Sequence, residues 1–279
     1  MSSLDEQFNL RKRHPIARFS MILNEIQSAL VRKSQRCYLN IPYGNTPGQM
    51  LDIFPANYPN APVFFFIHGG YFRALDKRQY HFMAKPLVKS GFTVVIVNYD
   101  LAPKVTISTI VNQIESSLQW IVEQIAHYNG DPNELILCGH SVGGFLGAKL
   151  LEKFAEQLPI QAAFLLSGLY DLSTMQQSYL NRELNLTVED VNALNPQMTP
   201  WTQKIKLVIA VGAHETDEFI HQSRSFSEQL NTKQLPHECL HLSGANHYSV
   251  ARMLGNTASS LFQKIASLND DSNLRNNSA

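Results

Sequence analysis

The sequence has little cysteine. Its three residues, Cys37, Cys138 and Cys239, are odd in number, far apart and without a C-x-x-C pair among 279 residues. That argues against a disulfide framework or a zinc site and suits free thiols in a reducing cytoplasm. An excess of charge of one sign is also missing. Lys plus Arg and Asp plus Glu both number 23, so charge gives no reason to expect a nucleic-acid or anionic-membrane partner. No apolar run is long enough to cross a bilayer. The opening stretch MSSLDEQFNLRKRHP has no apolar core of the kind a secretory signal needs. No internal repeat or low-complexity linker is present, and no H-E-x-x-H or H-x-x-E-H cluster offers a metal site.

What remains is the composition of a globular enzyme, 44% hydrophobic and 16% charged, long enough for one sizeable domain over 1–279. Short apolar runs alternate with amphipathic stretches. Val63–Ile67, Thr93–Val97, Leu135–Cys138, Ala162–Leu166 and Lys206–Val211 read as strands, with weaker candidates at Gln35–Asn40, Met50–Phe54 and His237–Leu242. The strong runs are apolar throughout, as strands covered on both faces require. Helical stripes fill the gaps at Ile107–His127, Phe145–Leu158 and Glu218–Leu230. The order implies an α/β fold with a mostly parallel open sheet flanked by helices. Residues 170–200 break the rhythm and read as a small cap insertion. The polar stretch 269–279 reads as a fraying tail.

Chemistry is signalled first at Gly139-His140-Ser141-Val142-Gly143. Here a G-x-S-x-G joins a strand to a helix, as the nucleophile elbow of the α/β-hydrolase fold does. A tight βα turn holding an incidental serine is the bland alternative. His68-Gly69-Gly70-Tyr71 follows an earlier strand. The N–H of Gly69 or Gly70, with that of Val142, would form an oxyanion hole, and His68 is read as structural. In this fold the acid and then the base follow the serine. His247, in the small-residue loop Ser243-Gly244-Ala245-Asn246, is the candidate base. Glu215, three residues past Gly212, is the candidate acid, Asp217 is its rival, and Glu218 is read as the start of the next helix.

The chain resembles the kynurenine formamidase (arylformamidase) group of esterase-like α/β-hydrolases. The resemblance is carried by Phe8-Asn9-Leu10-Arg11, His68–Tyr71, Asp76-Lys77-Arg78, Val97-Asn98-Tyr99, Gly139–Gly144, Ser167–Leu172, Ser178–Asn181 and His214–Phe219. The chain departs from that group with Phe72 where Trp is usual and with Glu rather than Asp at the acid position. The resemblance implies a serine hydrolase without cofactor or metal, with Ser141, Glu215 and His247 in the triad. Its implied substrate is an aryl formamide such as N-formylkynurenine, with a short-chain carboxylesterase as the alternative and an inactive binding protein as the more distant one. Tyr71, Phe72, Tyr99, Tyr170 and Tyr179 are the candidate substrate-binding aromatics. A cytoplasmic enzyme acting on a small molecule is expected, with no nucleic-acid or membrane partner and a homodimer as the candidate assembly.

Overall fold

The structure is a computed structural model that describes residues 3–276. Its eight strands are β1 (Tyr38–Pro42), β2 (Met50–Phe54), β3 (Ala61–Ile67), β4 (Thr93–Val97), β5 (Gly130–His140), β6 (Ile160–Leu166), β7 (Lys206–Gly212) and β8 (Glu238–Leu242). They form one sheet in the order β1-β2-β4-β3-β5-β6-β7-β8. β1 pairs antiparallel with β2, and β2 antiparallel with β4, while β4 to β8 are parallel.

The helices are α1 (Leu4–Phe8), α2 (Leu10–Arg13), α3 (Ala17–Ser34), α4 (Ala84–Lys89), α5 (Ile107–Gln124), α6 (Val142–Phe154), α7 (Ser173–Gln176), α8 (Asn181–Leu184), α9 (Val188–Leu194), α10 (Asp217–Thr232), α11 (His247–Met253) and α12 (Ser260–Asn276). The family fold expected from the sequence is therefore present. Alternation along β3 explains its unbroken apolar run. Val63, Phe65 and Ile67 pack in the core shared with α5, α6 and α10, whereas Phe64 and Phe66 pack in the core shared with α4, α11 and α12. Fully burying each such side chain stabilises the fold by about 1.5–3 kcal/mol, so a polar residue anywhere in β3 would be costly.

α5 begins where the sequence supplies a cap, as the Thr106 hydroxyl accepts from Thr109 N–H at 3.1 Å. It ends through a short 3-10 turn at Asn129, which takes the left-handed conformation (φ 65°) that Asn tolerates. Residues 170–200 contain α7, α8 and α9 and no strand. At the C-terminus α12 runs from Ser260 to Asn276 and takes in residues 269–276 of the polar stretch. Leu261, Phe262 and Ile265 dock the helix on the sheet, and the Asn269 amide donates to Ser90 O at 2.9 Å. Residues 277–279 of the expected tail lie outside the described residues.

Candidate active site

Ser141 sits between the end of β5 and the start of α6, with φ 60° and ψ −126°. A non-glycine residue there carries strain on the order of 1–3 kcal/mol. The surrounding backbone enforces it. Ser141 N–H donates to Leu166 O at 2.8 Å. A Cβ on Gly139 would lie 2.0 Å from Gly143 O, and one on Gly143 would lie 2.1 Å from Ile67 O. Only glycine permits both approaches, which is why these residue types flank the serine. Val142 opens α6, so its N–H belongs to the first helical turn and has no acceptor within the helix.

The loop after β3 lies against the serine. A Cβ on Gly69 would sit 2.7 Å from Ser141 Cβ and 3.4 Å from its Oγ, so the bare Gly69 backbone faces the hydroxyl. Gly70 has φ 112° and lines the cleft described below. His68 is fully buried, stacked on Tyr99 with centroids 4.5 Å apart. Its Nδ1 lies 2.7 Å from Gly69 O. A carbonyl only accepts, so Nδ1 carries the proton. Burial lowers the pKa of this ring and keeps it neutral. Holding the Gly69 carbonyl turns the N–H of the same peptide, on Gly70, to the opposite side. His68 thus has a buried position behind the glycines rather than one in the cleft.

Glu215 and His247 come from neighbouring loops stitched by backbone bonds. His214 N–H donates to Ala245 O at 2.9 Å, and Ala213 N–H to Leu242 O at 3.0 Å. His247 is the first residue of α11, and Asn246 caps that helix by accepting from Tyr248 N–H and Ser249 N–H, each at 3.1 Å. The His247 Nδ1 meets Glu215 Oε2 at 2.7 Å. The other carboxylate oxygen accepts from Ser167 Oγ at 2.5 Å and Gly212 N–H at 2.8 Å. Burial alone would raise the Glu215 pKa. The His247 ring and the Ser167 and Gly212 bonds outweigh it, so the group lies below the usual glutamate range and stays ionised. Asp217 is exposed in the first turn of α10, away from this network. Glu218, in the same turn, accepts from Gln222 Nε2 at 2.8 Å.

His140 completes the rear of the site. Its Nε2 donates to His247 O at 2.9 Å, fixing the backbone of the candidate base from the residue next to the serine. Burial, with the neighbouring His247, pushes its pKa down to about 3, so this ring is neutral at working pH.

Ser141 and His247 open onto a cleft of about 370 Å³. Among the aromatics expected there, Tyr71 and Tyr179 line it; Phe72, Tyr99 and Tyr170 do not. Phe72 is fully buried, edge-on to Phe145 at 5.6 Å. Tyr99 is held behind the glycine loop, its hydroxyl donating to His68 O at 2.9 Å. Tyr170 stacks flat on Phe226 at 3.9 Å. Each lies beside a candidate catalytic motif in sequence, but the strand-end geometry turns it into the core. Phe8, Tyr80 and Tyr248 take their place in the cleft, together with Arg11 and Arg73. The signal for Phe8 was present, because it opens the Phe8-Asn9-Leu10-Arg11 segment that carries part of the family resemblance. Ser167, just past β6, was also missed. Its φ of 51° is as unusual as that of Ser141, but nothing in the sequence pairs it with residue 215. A larger hollow of about 680 Å³ lies by Pro62, Ile136, Ile160 and Trp201, and none of the groups above lines it.

This fold and this site define the α/β-hydrolase class, and the chain matches the family described as alpha/beta hydrolase fold over residues 64–250. Within it, the chain is 33% identical to a kynurenine formamidase from Salmo salar, covering 77% of this chain and 76% of that one. It is 31% identical to a kynurenine formamidase from Danio rerio, covering 80% and 78%. A solved Silicibacter structure superposes with a TM-score of 0.84 at 24% identity, over 94% of this chain and 98% of that one. The chain belongs to the kynurenine formamidase family, and it is a hydrolase.

Proposed function

We propose that this protein hydrolyses an aryl formamide, with N-formylkynurenine as the leading substrate, through a formyl-enzyme on Ser141. The observation that carries the chemistry is the 2.7 Å Glu215–His247 contact beside a strained serine that opens on the same cleft. The substrate rests on the kynurenine formamidase relatives and on the cleft's aromatic lining. The three free thiols suit a cytoplasmic setting.

His247 takes the proton of Ser141 Oγ as that oxygen attacks the formyl carbon. Glu215 holds the ring with Nδ1–H toward itself and stabilises the imidazolium that results. The oxyanion is received by N–H groups of Gly69 or Gly70 and of Val142. His247 then passes the proton to the departing aryl amine as the C–N bond breaks. Water, deprotonated by His247, attacks the formyl ester; formate leaves and Ser141 recovers its proton.

The test is kcat/KM across formyl, acetyl and butyryl derivatives of one aryl amine, corrected for intrinsic reactivity. A site shaped for formyl crowds longer chains, at about 1–3 kcal/mol for overpacking, so activity falls along the series. A corrected profile that is flat or rises with chain length rejects the formamidase reading in favour of a general carboxylesterase.

A further inference from the structure

The lining of the cleft is chemically one-sided. Besides Ser141 and His247 it presents aromatic rings, two arginines and no carboxylate. The two arginines differ. Arg73 is committed, since it pairs with Glu183 and lies over the Tyr179 ring at 5.9 Å. Arg11 is exposed and forms no ion pair with any other described residue.

Arg11 is also held in place from below. Phe8 is fully buried and packs edge-on to Tyr71 at 6.0 Å and to Phe219 at 6.2 Å. Its carbonyl accepts from the Tyr71 hydroxyl at 2.9 Å and the Tyr179 hydroxyl at 3.4 Å. Asn9 caps α2 by accepting from Lys12 N–H at 3.2 Å, and Leu10 is buried. A segment pinned on both sides therefore presents one free guanidinium at the cleft. Burial raises the Tyr248 phenol, and the Arg11 charge is the largest influence opposing that rise, which puts the charge beside the cleft's own rim.

We propose that Arg11 is a specificity residue that binds a carboxylate on the leaving group. The preferred substrate is then an acylated aryl amine whose ring carries a short carboxylate-bearing side chain, the nearby rings taking the aryl group. This deepens the formamidase reading and rests on it for the identity of the acyl group. A fork-shaped guanidinium suits a carboxylate because two parallel N–H donors match its two oxygens. With no acidic residue in the lining to compete, the interaction is available to substrate alone.

The experiment compares 4-(2-formamidophenyl)-4-oxobutanoate with 2′-formamidoacetophenone, which keeps the ring, ketone and formamide and lacks the carboxylate. Wild type should prefer the carboxylate substrate. Arg11→Gln should reduce that preference roughly 10- to 100-fold, the value of a hydrogen-bonded charge, chiefly through KM. Arg11→Lys should keep part of it, and added salt should erode it in wild type and Arg11→Lys but not in Arg11→Gln. An equal loss on both substrates, or an unchanged preference in Arg11→Gln, overturns the proposal. The same pair of variants is run on 3-(4-acetoxyphenyl)propanoate and 4-ethylphenyl acetate. If no formamide is cleaved but the ester preference collapses in Arg11→Gln, the formamide reading fails and the carboxylate subsite stands.

Discussion

The proposed catalytic half of the cleft and its proposed binding half are made in different ways. Ser141 and Glu215 sit at or just past the ends of β5 and β7 and are held by backbone hydrogen bonds, while His247 opens α11 with its carbonyl accepting from His140 Nε2. The binding wall draws Phe8 and Arg11 from the N-terminus, Tyr71 and Tyr80 from the stretch after β3, Tyr179 from the insertion and Tyr248 from α11. Its pieces meet through side chains, such as the two tyrosine hydroxyls on Phe8 O. Rigid strand ends suit chemistry that needs fixed geometry, whereas a wall assembled from side chains can change its ligand without disturbing the triad.

That contrast can be broken most directly at the serine. Ser141→Ala should lower kcat by about 10⁴–10⁶-fold while the protein stays folded; retention of more than a tenth of wild-type kcat would place the nucleophile elsewhere. Next is the acid. Glu215→Gln should lose about 10³–10⁴-fold in kcat, against a change within about twofold for the exposed Asp217→Asn. Steady-state kinetics on the two variants ranks them, and the reverse order would move the acid to residue 217.

The wall should respond more gently and through KM. Tyr179→Phe and Tyr71→Phe each remove one neutral hydrogen bond to the Phe8 carbonyl, worth about 0.5–1.5 kcal/mol, or roughly 2- to 12-fold in KM. Tyr170→Phe, outside the cleft, should leave KM alone. A kcat effect at Tyr71 that matched Glu215→Gln would erase the distinction between the halves.

The last effect is on stability and leaves activity aside. His140 has a folded pKa of about 3 against an ordinary 6.5. Between those values the unfolded chain binds a proton that the folded chain does not. Stability therefore falls as pH drops from about 6.5, by at most about 1.4 kcal/mol per pH unit for this group. His140→Gln should flatten the slope of urea midpoints between pH 7 and pH 5. An unchanged slope would mean that the ring takes up its proton without unfolding.

The sequence made the catalytic half legible because its constraints are local. The glycines around Ser141 answer to atoms within a few residues of the turn or on the adjacent strand, and Gly212 fixes the phase at which Glu215 follows β7. The wall was legible only in part. Tyr71 and Tyr179 were expected in it and line it, but Phe72, Tyr99 and Tyr170 carry the same aromatic character next to the same motifs. What separates them is φ at residues 71 and 72, near 53° and 59°, and packing against Phe145, His68 and Phe226. No single-sequence pattern reports those. The start of the C-terminal helix was hidden for a related reason: Leu261, Phe262 and Ile265 are too few to announce a helix by pattern, and their docking on the sheet is not local.

The pinned Phe8 segment also bears on how the enzyme comes into being. Phe8 is synthesised well before its partners Tyr179 and Phe219, and before Tyr248 across the cleft. At about 5–20 residues per second the interval between Phe8 and His247 is roughly 10 to 50 s. Through that time the wall has nothing to close against, so the first piece of the cleft to be synthesised must be among the last to settle.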